Sequence, residues 1–320
     1  MLTCIVLFWP SLAIGIQDPA KGIAGHAMVY SAREQAVVCV GGEEFGVTPV
    51  RKWTGRKWEA IEGSDLPART MAAAACDTEG DLLVHGGANG AKAPDGSSRF
   101  HVTGGTWWWN GKTWAKVASD GPAPRDHHAV VYDSARKVFV LFGGSDADPS
   151  GRTTLFGDTW EWDGDKWTCV AGGPEAPSRA GGPSARAHVA MVYDPVHRQT
   201  LLVGSGDDAA TWAWDGKVWA KLATGAPAER TSVRMCWDTK AKRVLLFGGA
   251  KDWTFASDTW AWDGKAWKAV AKDGPPGRMV HGFAFDEKRG AAVLYGGSTR
   301  DDVLGDTWEF DGKAWKRASG

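Results

Sequence analysis

The sequence predicts an all-β fold, a six-bladed β-propeller with four antiparallel strands in each blade. A tryptophan-rich pattern, fullest in Asp158 to Val170 (DTWEWDGDKWTCV), occurs six times in the 320 residues. From Trp162 to Trp214 to Trp262 the period is 52 and then 48 residues, a length typical of one propeller blade. No stretch has a convincing helical period. We therefore expect one closed domain over residues 21–320.

Each copy of this pattern predicts a β-hairpin. Two short runs of alternating apolar residues flank a turn, which is Asp-Gly in four copies, Asn-Gly in one and Thr-Gly in the first. Such turns place their central residues at positive φ, where glycine is favoured. The other five copies are Arg51 to Ile61, Thr106 to Val117, Thr211 to Leu222, Asp258 to Val270 and Asp306 to Ala318.

A second repeated hairpin precedes each tryptophan hairpin and completes the four strands, a to d, of a blade. Its clearest copy is Pro124 to Gly144, in which two apolar runs flank a short polar connector and end in a double glycine. An arginine precedes the first run and an aspartate follows it eight residues later. The five such pairs are Arg69/Asp77, Arg125/Asp133, Arg186/Asp194, Arg230/Asp238 and Arg278/Asp286.

The tryptophans are predicted to form the core between blades. Three columns of the repeat hold 16 of the 20 tryptophans, and Trp9, Trp108, Trp237 and Trp253 are the exceptions. A blade that is apolar on both faces needs a neighbour on each side, and a ring of six blades supplies them. Because strand d of the sixth blade ends the repeat, closure of the ring is expected to depend on side-chain packing, unless residues 1–20 contribute.

Composition excludes some partners. The net charge of −1 gives no basic surface for nucleic acid. The five cysteines have no CxxC spacing, and the four within predicted strands are expected to be buried free thiols. We expect a monomer with no cofactor and no metal, since none of the acidic loops has the spacing of an EF-hand.

Residues 1–20 have two interpretations. Leu2 to Ile16 is an uncharged, mostly apolar run followed by no second such run, too short to be a comfortable membrane span. It predicts either a secretory signal peptide, and so a secreted or periplasmic protein, or an extra strand that pairs onto the last blade. No lysine or arginine precedes the run, which counts against a signal peptide, but Ala13, Ile14 and Gly15 offer small residues where one would be cut, and we expect export.

The repeat resembles that of the kelch family. The resemblance rests on Arg125 with His128, Arg278 with His281, the double glycines and the tryptophan that follows, and it covers roughly residues 20 to 318. It implies the propeller fold and leaves function open, because kelch propellers serve as binding scaffolds, structural modules or enzymes. Kelch-containing copper oxidases need tyrosine and histidine ligands, whereas the four tyrosines here all lie in repeat strands.

Strand order predicts where a ligand binds. The a–b and c–d turns share one face, which we call the tight-turn face, and the longer b–c and d–a connections share the other, the long-loop face. Binding usually resides in long segments on a rigid scaffold. The candidate ligand-binding residues on this face are Arg69, Arg125, Arg186, Arg230, Arg278, His128, His281 and Trp253.

Each candidate has a structural alternative. The arginines could bind an anion or a carboxylate sugar, or pair with aspartates at blade edges such as Asp158, Asp258 and Asp306. The column of His26, His128 and His281 suggests either a metal cluster or buried structural histidines. We predict a non-catalytic scaffold that binds a protein or glycan through the long-loop face. The alternative is a carbohydrate-active enzyme, of the sugar epimerase or mutarotase type, with an arginine-lined site at the channel mouth.

Overall fold

A computed structural model describes residues 22–42, 46–92, 98–147, 152–173, 181–205 and 208–319. Its regular structure in these ranges consists of β-strands alone. Six sheets of four antiparallel strands follow one another along the chain. The predicted six-bladed propeller is therefore confirmed. Residues 1–20, for which we predict a signal peptide or an extra strand, lie outside the described residues.

The strands of each blade are consecutive in sequence. Blades 1 to 3 comprise His26–Ser31, Ala36–Gly41, Arg51–Trp53 and Trp58–Ala60; Ala73–Cys76, Leu82–His85, Thr106–Trp109 and Trp114–Ala118; and Ala129–Asp133, Val138–Phe142, Thr159–Trp162 and Trp167–Ala171. Blades 4 to 6 comprise Ala190–Asp194, Gln199–Val203, Ala210–Trp214 and Trp219–Thr224; Arg234–Asp238, Arg243–Phe247, Thr259–Trp262 and Trp267–Ala271; and Gly282–Asp286, Ala291–Tyr295, Thr307–Phe310 and Trp315–Ser319.

Short additional strand pairs decorate the long-loop face. Three are hairpins within b–c connections, and the fourth joins the b–c connection of blade 1 to the segment that leads into blade 2. The pairs are Val47–Thr48 with Leu66–Pro67, Ala88–Lys92 with Ser98–Val102, Ser145–Ala147 with Thr153–Leu155, and Ala250–Lys251 with Thr254–Phe255. The long-loop face is thus built partly of ordered β-structure.

Six hydrophobic clusters fill the six spaces between neighbouring blades. Each contains one fully buried aromatic ring from the end of strand c, at 3% exposure or less. These rings are Trp53, Trp109, Trp162, Trp214, Trp262 and Phe310. Because every cluster joins residues of two adjacent blades, the core lies between the sheets and no blade has a core of its own.

A second tryptophan, the first residue of strand d, forms a hydrogen bond across every interface. In blades 3 to 6 its indole N–H donates to the hydroxyl of a buried threonine at the start of strand c in the preceding blade. These bonds are Trp167 to Thr106 (2.7 Å), Trp219 to Thr159 (2.9 Å), Trp267 to Thr211 (2.8 Å) and Trp315 to Thr259 (2.8 Å). Trp114 of blade 2 donates instead to the carbonyl oxygen of Ser64, at 2.8 Å.

The ring closes by the same contact and by backbone hydrogen bonds. Trp58 of blade 1 donates to Thr307 of blade 6 at 3.1 Å. The segment before strand a of blade 1 also pairs with blade 6, because the Ile23 amide donates to the carbonyl of Leu304 and the Gly297 amide donates to that of Ile23. The expectation that closure depends on side-chain packing was therefore incomplete.

The described cysteines lie in the strands of the blades. Within the described residues, Cys39, Cys76, Cys169 and Cys236 lie in strands and form no disulfide; Cys39 and Cys236 are buried and the other two partly buried. In the described ranges no helix has the length and apolar character that a membrane span requires.

The indole-to-threonine bond predicts energetic coupling across the interface. Thr259→Val keeps the shape of the side chain but leaves the partly buried Trp315 N–H without its acceptor, which should cost about 1 kcal/mol of unfolding free energy. In the double variant with Trp315→Phe, the donor is also removed. The double variant should therefore lose less than the sum of the two single losses, by at least about 0.5 kcal/mol in urea denaturation.

The matched control combines Thr259→Val with Trp114→Phe, which acts at a different interface. These two losses should add, because the residues share no partner. Equal additivity in both pairs would show that the Trp315 bond does not contribute to stability.

Candidate functional site

The channel mouth on the long-loop face is framed by six equivalent residues that precede strand a. All six have φ between 49° and 71°, in the left-handed region that residues other than glycine rarely occupy. They are Gly25, Met71, His127, His188, Ser232 and Val280. In a β-branched residue such as Val280 this conformation is strained, so the surrounding structure must impose it.

Backbone hydrogen bonds link these residues into a ring around the channel. Each amide donates to the carbonyl of its equivalent in the preceding blade, at 2.7 to 3.2 Å. The links run from Met71 to Gly25, His127 to Met71, His188 to His127, Ser232 to His188, and Gly25 to Val280. Among the described residues no such bond joins Val280 to Ser232, so the ring is open between blades 5 and 6.

The candidate arginines lie just outside this ring, and two of them are fully buried in forked ion pairs. Arg125 donates to both carboxylate oxygens of Asp158, at 2.6 and 2.9 Å. Arg278 binds Asp306 in the same way, at 2.6 and 3.0 Å. Each guanidinium also donates to the carbonyl of the first glycine of its own double glycine, Gly143 or Gly296. In both arginines the two terminal guanidinium nitrogens are engaged within the blade and do not face a ligand in the channel.

Arg230 and Arg186 have the same kind of partner. Arg230 contacts both oxygens of Asp258, and its side chain is 13% exposed. Arg186 lies 3.3 Å from one oxygen of Asp208 and donates to the Ser184 hydroxyl at 2.9 Å. The structural alternative for the arginines is thus observed in these four blades. Their assignment to ligand binding stays a prediction.

Each of these aspartates also anchors the first tryptophan of strand c. The indole N–H groups of Trp160, Trp212, Trp260 and Trp308 donate to Asp158, Asp208, Asp258 and Asp306, at 2.7 to 2.9 Å. Although burial opposes ionisation, the arginine and indole donors hold the pKa of these carboxyl groups below its usual value. The Arg–Asp–Trp unit therefore ties strands a and c together at the long-loop end of blades 3 to 6.

Blade 2 lacks this unit because Gly105 stands where blades 3, 5 and 6 have aspartate. Arg69 is 5% exposed and donates to the carbonyl oxygens of Pro67 and Gly86, at 3.2 and 3.1 Å. Its guanidinium lies 5.6 Å from the centre of the Trp107 ring, within range of a cation–π contact. Burial lowers the pKa of Arg69 to about 10.

The candidate histidines are buried between blades. His128 is 6% and His281 0% exposed, and each ring covers the first glycine of the preceding blade's double glycine. A Cβ at Gly86 would lie 2.8 Å from the His128 ring, and one at Gly248 would lie 2.7 Å from the His281 ring. Glycine is needed there because a Cβ would also meet the backbone carbonyl oxygen of Arg125 or Arg278, and because φ is positive at both positions. His26 occupies the same column and is 1% exposed.

The histidine column does not form a metal site in the described ranges. No group of three or more His, Cys, Asp and Glu side chains there is arranged to hold an ion. Burial, assisted by the charges of Arg234 and Arg278, lowers the pKa of His281 well below its usual value. These histidines are therefore neutral at physiological pH and behave as core residues.

Trp253 lies apart from the channel, at the tip of the hairpin formed by Ala250–Lys251 and Thr254–Phe255. Its side chain is 51% exposed, whereas each column tryptophan on strand c or d is buried or partly buried. The structure thus separates the predicted site residues into buried arginines, buried histidines and one exposed aromatic ring.

A small cavity at the channel mouth brings together residues that the sequence did not single out. It is lined by Met71, Ala72, His127, His128, His188, Val189, Ser232, Arg234 and Val280. Of these only His128 was a candidate. Arg234 had a detectable signal, because aligned repeats place alanine or glycine at its position in every other blade. No feature of the sequence indicated the positive φ of His127 and His188.

Comparisons with known proteins agree on the fold. No protein-family model matches the chain, and no curated protein matches it significantly. The solved structure described as "Structure of YjhT" superposes with a TM-score of 0.66, covering 90% of this chain and 94% of that chain at 14% sequence identity. The chain is therefore a six-bladed β-propeller protein. An identity this low shows the fold alone.

The buried histidines predict loss of stability in mild acid. Burial, with the charges of Arg125 and Arg69, lowers the pKa of His85 to about 3, against about 6.5 for an unfolded histidine. Below pH 6.5 the unfolded chain binds protons that the folded protein refuses, so stability should fall as pH decreases from 6.5 towards 3. Phenylalanine occupies the equivalent position in blades 3 and 5, as Phe142 and Phe247.

His85→Phe should therefore reduce the slope of unfolding free energy against pH by up to one proton, about 1.4 kcal/mol per pH unit. Urea denaturation at intervals between pH 6.5 and 4.5 measures this slope before the paired aspartates begin to titrate. His197→Phe, at a half-exposed position in the a–b turn of blade 4, is the control. An unchanged slope in His85→Phe would show that His85 is protonated in the folded protein.

Proposed function

We propose that this propeller is a non-catalytic recognition scaffold that binds a protein or glycan through the long-loop face, with Trp253 as an anchoring side chain. The observation that carries the proposal is the exposure of this ring on an ordered hairpin. Exposed tryptophan is enriched at binding surfaces because it offers a large apolar face together with one hydrogen-bond donor.

The hairpin holds Trp253 in a strained conformation. Lys251 pairs with Thr254, which leaves Asp252 and Trp253 as a two-residue turn with φ of 50° and 62°. Positive φ at both central positions is typical of a type I′ turn, where asparagine and glycine are the favoured residues. A tryptophan here costs conformational energy and gains no burial. Such strain is often found where a side chain serves binding.

The base of the hairpin is fixed to the propeller. The amides of Ala250 and Thr231 each donate to the other's carbonyl oxygen at 2.9 Å, next to the start of strand a in blade 5. Lys251 also contacts Glu229 at 2.7 Å. A ligand that stacks on Trp253 would therefore meet a preorganised surface, which lowers the entropic cost of binding.

The state of the arginines supports recognition rather than catalysis. An arginine-lined active site needs guanidinium groups that face the substrate, and Arg125, Arg186, Arg230 and Arg278 are engaged by aspartates. Loss of turnover in Arg125→Ala would not identify an active site, because the variant also leaves Asp158 buried and unpaired.

We infer kelch-type repeats from the arginine, histidine, double-glycine and tryptophan pattern, and export from the apolar run in residues 1–20. N-terminal sequencing of protein recovered from the medium, periplasm and cytoplasm decides between a cleaved signal peptide and a retained segment.

The recognition proposal predicts that Trp253→Ala weakens ligand binding at least tenfold, since the ring supplies most of the apolar contact area at the tip. A glycan array and a displayed peptide library, each probed with wild-type protein and with the variant, test this. The fold should be unaffected, because the ring packs against nothing that closes the propeller.

The control is Val218→Ala, which removes an apolar side chain of 44% exposure from the tight-turn face. Its binding should equal that of the wild type. Ligands that bind wild type and Trp253→Ala equally, and lose affinity in Val218→Ala, would place recognition on the other face and overturn the proposal.

A further inference from the structure

We propose that the cavity at the channel mouth is a binding site for a small monovalent anion, such as a halide or a free carboxylate ion, with Arg234 as its principal ligand. The site differs from the Trp253 surface in position and in the residues it uses. The two proposals can therefore fail separately.

Arg234 interrupts the repeat at the innermost strand. The equivalent residues of the other blades are Ala27, Ala73, Ala129, Ala190 and Gly282. Blade 5 thus places a long cationic side chain where the other blades have only the methyl group of alanine or the hydrogen atom of glycine. The position is next to the one gap in the backbone ring, between Ser232 and Val280.

Arg234 lacks the partner that the other channel-mouth arginines have. Among the described residues its guanidinium makes one hydrogen bond, from Nη1 to the carbonyl oxygen of Val233 at 3.1 Å. No carboxylate pairs with it there. A cation surrounded by protein is costly unless it is paired or solvated. Burial accordingly lowers the pKa of Arg234 to about 10.

Arg69 shows that a missing carboxylate alone does not make an anion site. It also lacks an aspartate, but two carbonyl oxygens and the Trp107 ring surround it, and it does not line the cavity. Arg234 differs because it faces an open space and remains partly accessible through it. The cavity is thus a second observation, independent of the unpaired charge.

The other polar groups of the cavity suit an anion. Ser232 Oγ lies 3.2 Å from His188 Nδ1, and the rings of His127 and His188 are 3.9 Å apart. Hydroxyl and imidazole N–H groups can both turn to donate to an anion. The carboxylate of Asp126, beside His127, does not line the cavity and contacts the Ser145 hydroxyl at 2.7 Å and His127 Nδ1 at 3.0 Å.

The size of the cavity limits the occupant. The volume open to water-sized molecules is about 20 Å³, enough for about one water or one small ion. A chloride or bromide ion, or the carboxylate group of formate, matches this volume. The chemistry therefore favours a small monoanion held by a guanidinium, a hydroxyl and an imidazole.

The test compares thermal unfolding of the full-length protein in sodium chloride, bromide or formate with unfolding in sodium gluconate, at equal ionic strength and pH. Gluconate is too large for the cavity. Wild-type protein should gain about 2 °C in Tm when the small anion is at roughly ten times its Kd. Arg234→Ala, which installs the residue of four other blades, should show no difference between the salts.

Arg300→Ala is the matched control, because it removes an exposed arginine from the same face and should keep the full wild-type response. Arg234→Gln keeps the length of the side chain and should also lose the response, which separates loss of charge from a change in packing. A bromide-soaked crystal should show an anomalous peak beside Arg234. Identical Tm values in all salts for the wild type, or an unchanged response in both Arg234 variants, would overturn the proposal.

Discussion

The fold depends on a hydrogen bond between an indole and the neighbouring blade, repeated at all six interfaces. Each blade is apolar on both faces, so hydrophobic burial brings blades together but does not set their register. The donor at the start of strand d and the acceptor beneath it set the register, since a shift by one residue would leave a buried N–H without a partner. The interface between blades 6 and 1 uses the same bond. A ring of six therefore closes without a shared sheet.

Variation around this bond follows the chemistry of the donor. At the end of strand c, Trp53 and Trp214 donate to Glu309 and Glu161 of the preceding blade, at 2.8 and 3.0 Å. In blade 6 the ring is Phe310, which has no N–H, and the preceding blade has Ala261 at the glutamate position. Trp262 faces Ala213 instead, and its N–H has no acceptor within the described part of the chain. The Trp162 N–H likewise has no acceptor there, so two interfaces match this donor to an acceptor and two leave it unmatched.

The sequence was sufficient to predict the fold, because period-2 hydrophobicity, Asp-Gly turns and the spacing of Trp162, Trp214 and Trp262 all agree. It also identified Asp158, Asp258 and Asp306 as alternative partners for the arginines. The acceptors of the strand d indoles could not be predicted, because Thr259 and its equivalents resemble any other strand residue. The left-handed residues at the channel mouth have no sequence signature, since histidine, serine, valine and methionine all occupy that position. An alignment of the repeats shows Arg234 as the exception in a column of alanine and glycine. A role for it could be inferred only from the cavity that it lines.

An axis surrounded by six near-identical blades presents a bound molecule with six equivalent poses, each populated about equally. The break in the backbone ring between Ser232 and Val280, with Arg234 beside it, removes that degeneracy. An anion bound by Arg234, as proposed above, would lie in the sector of blade 5. One blade of the repeat protein thereby differs chemically from the other five at the channel mouth.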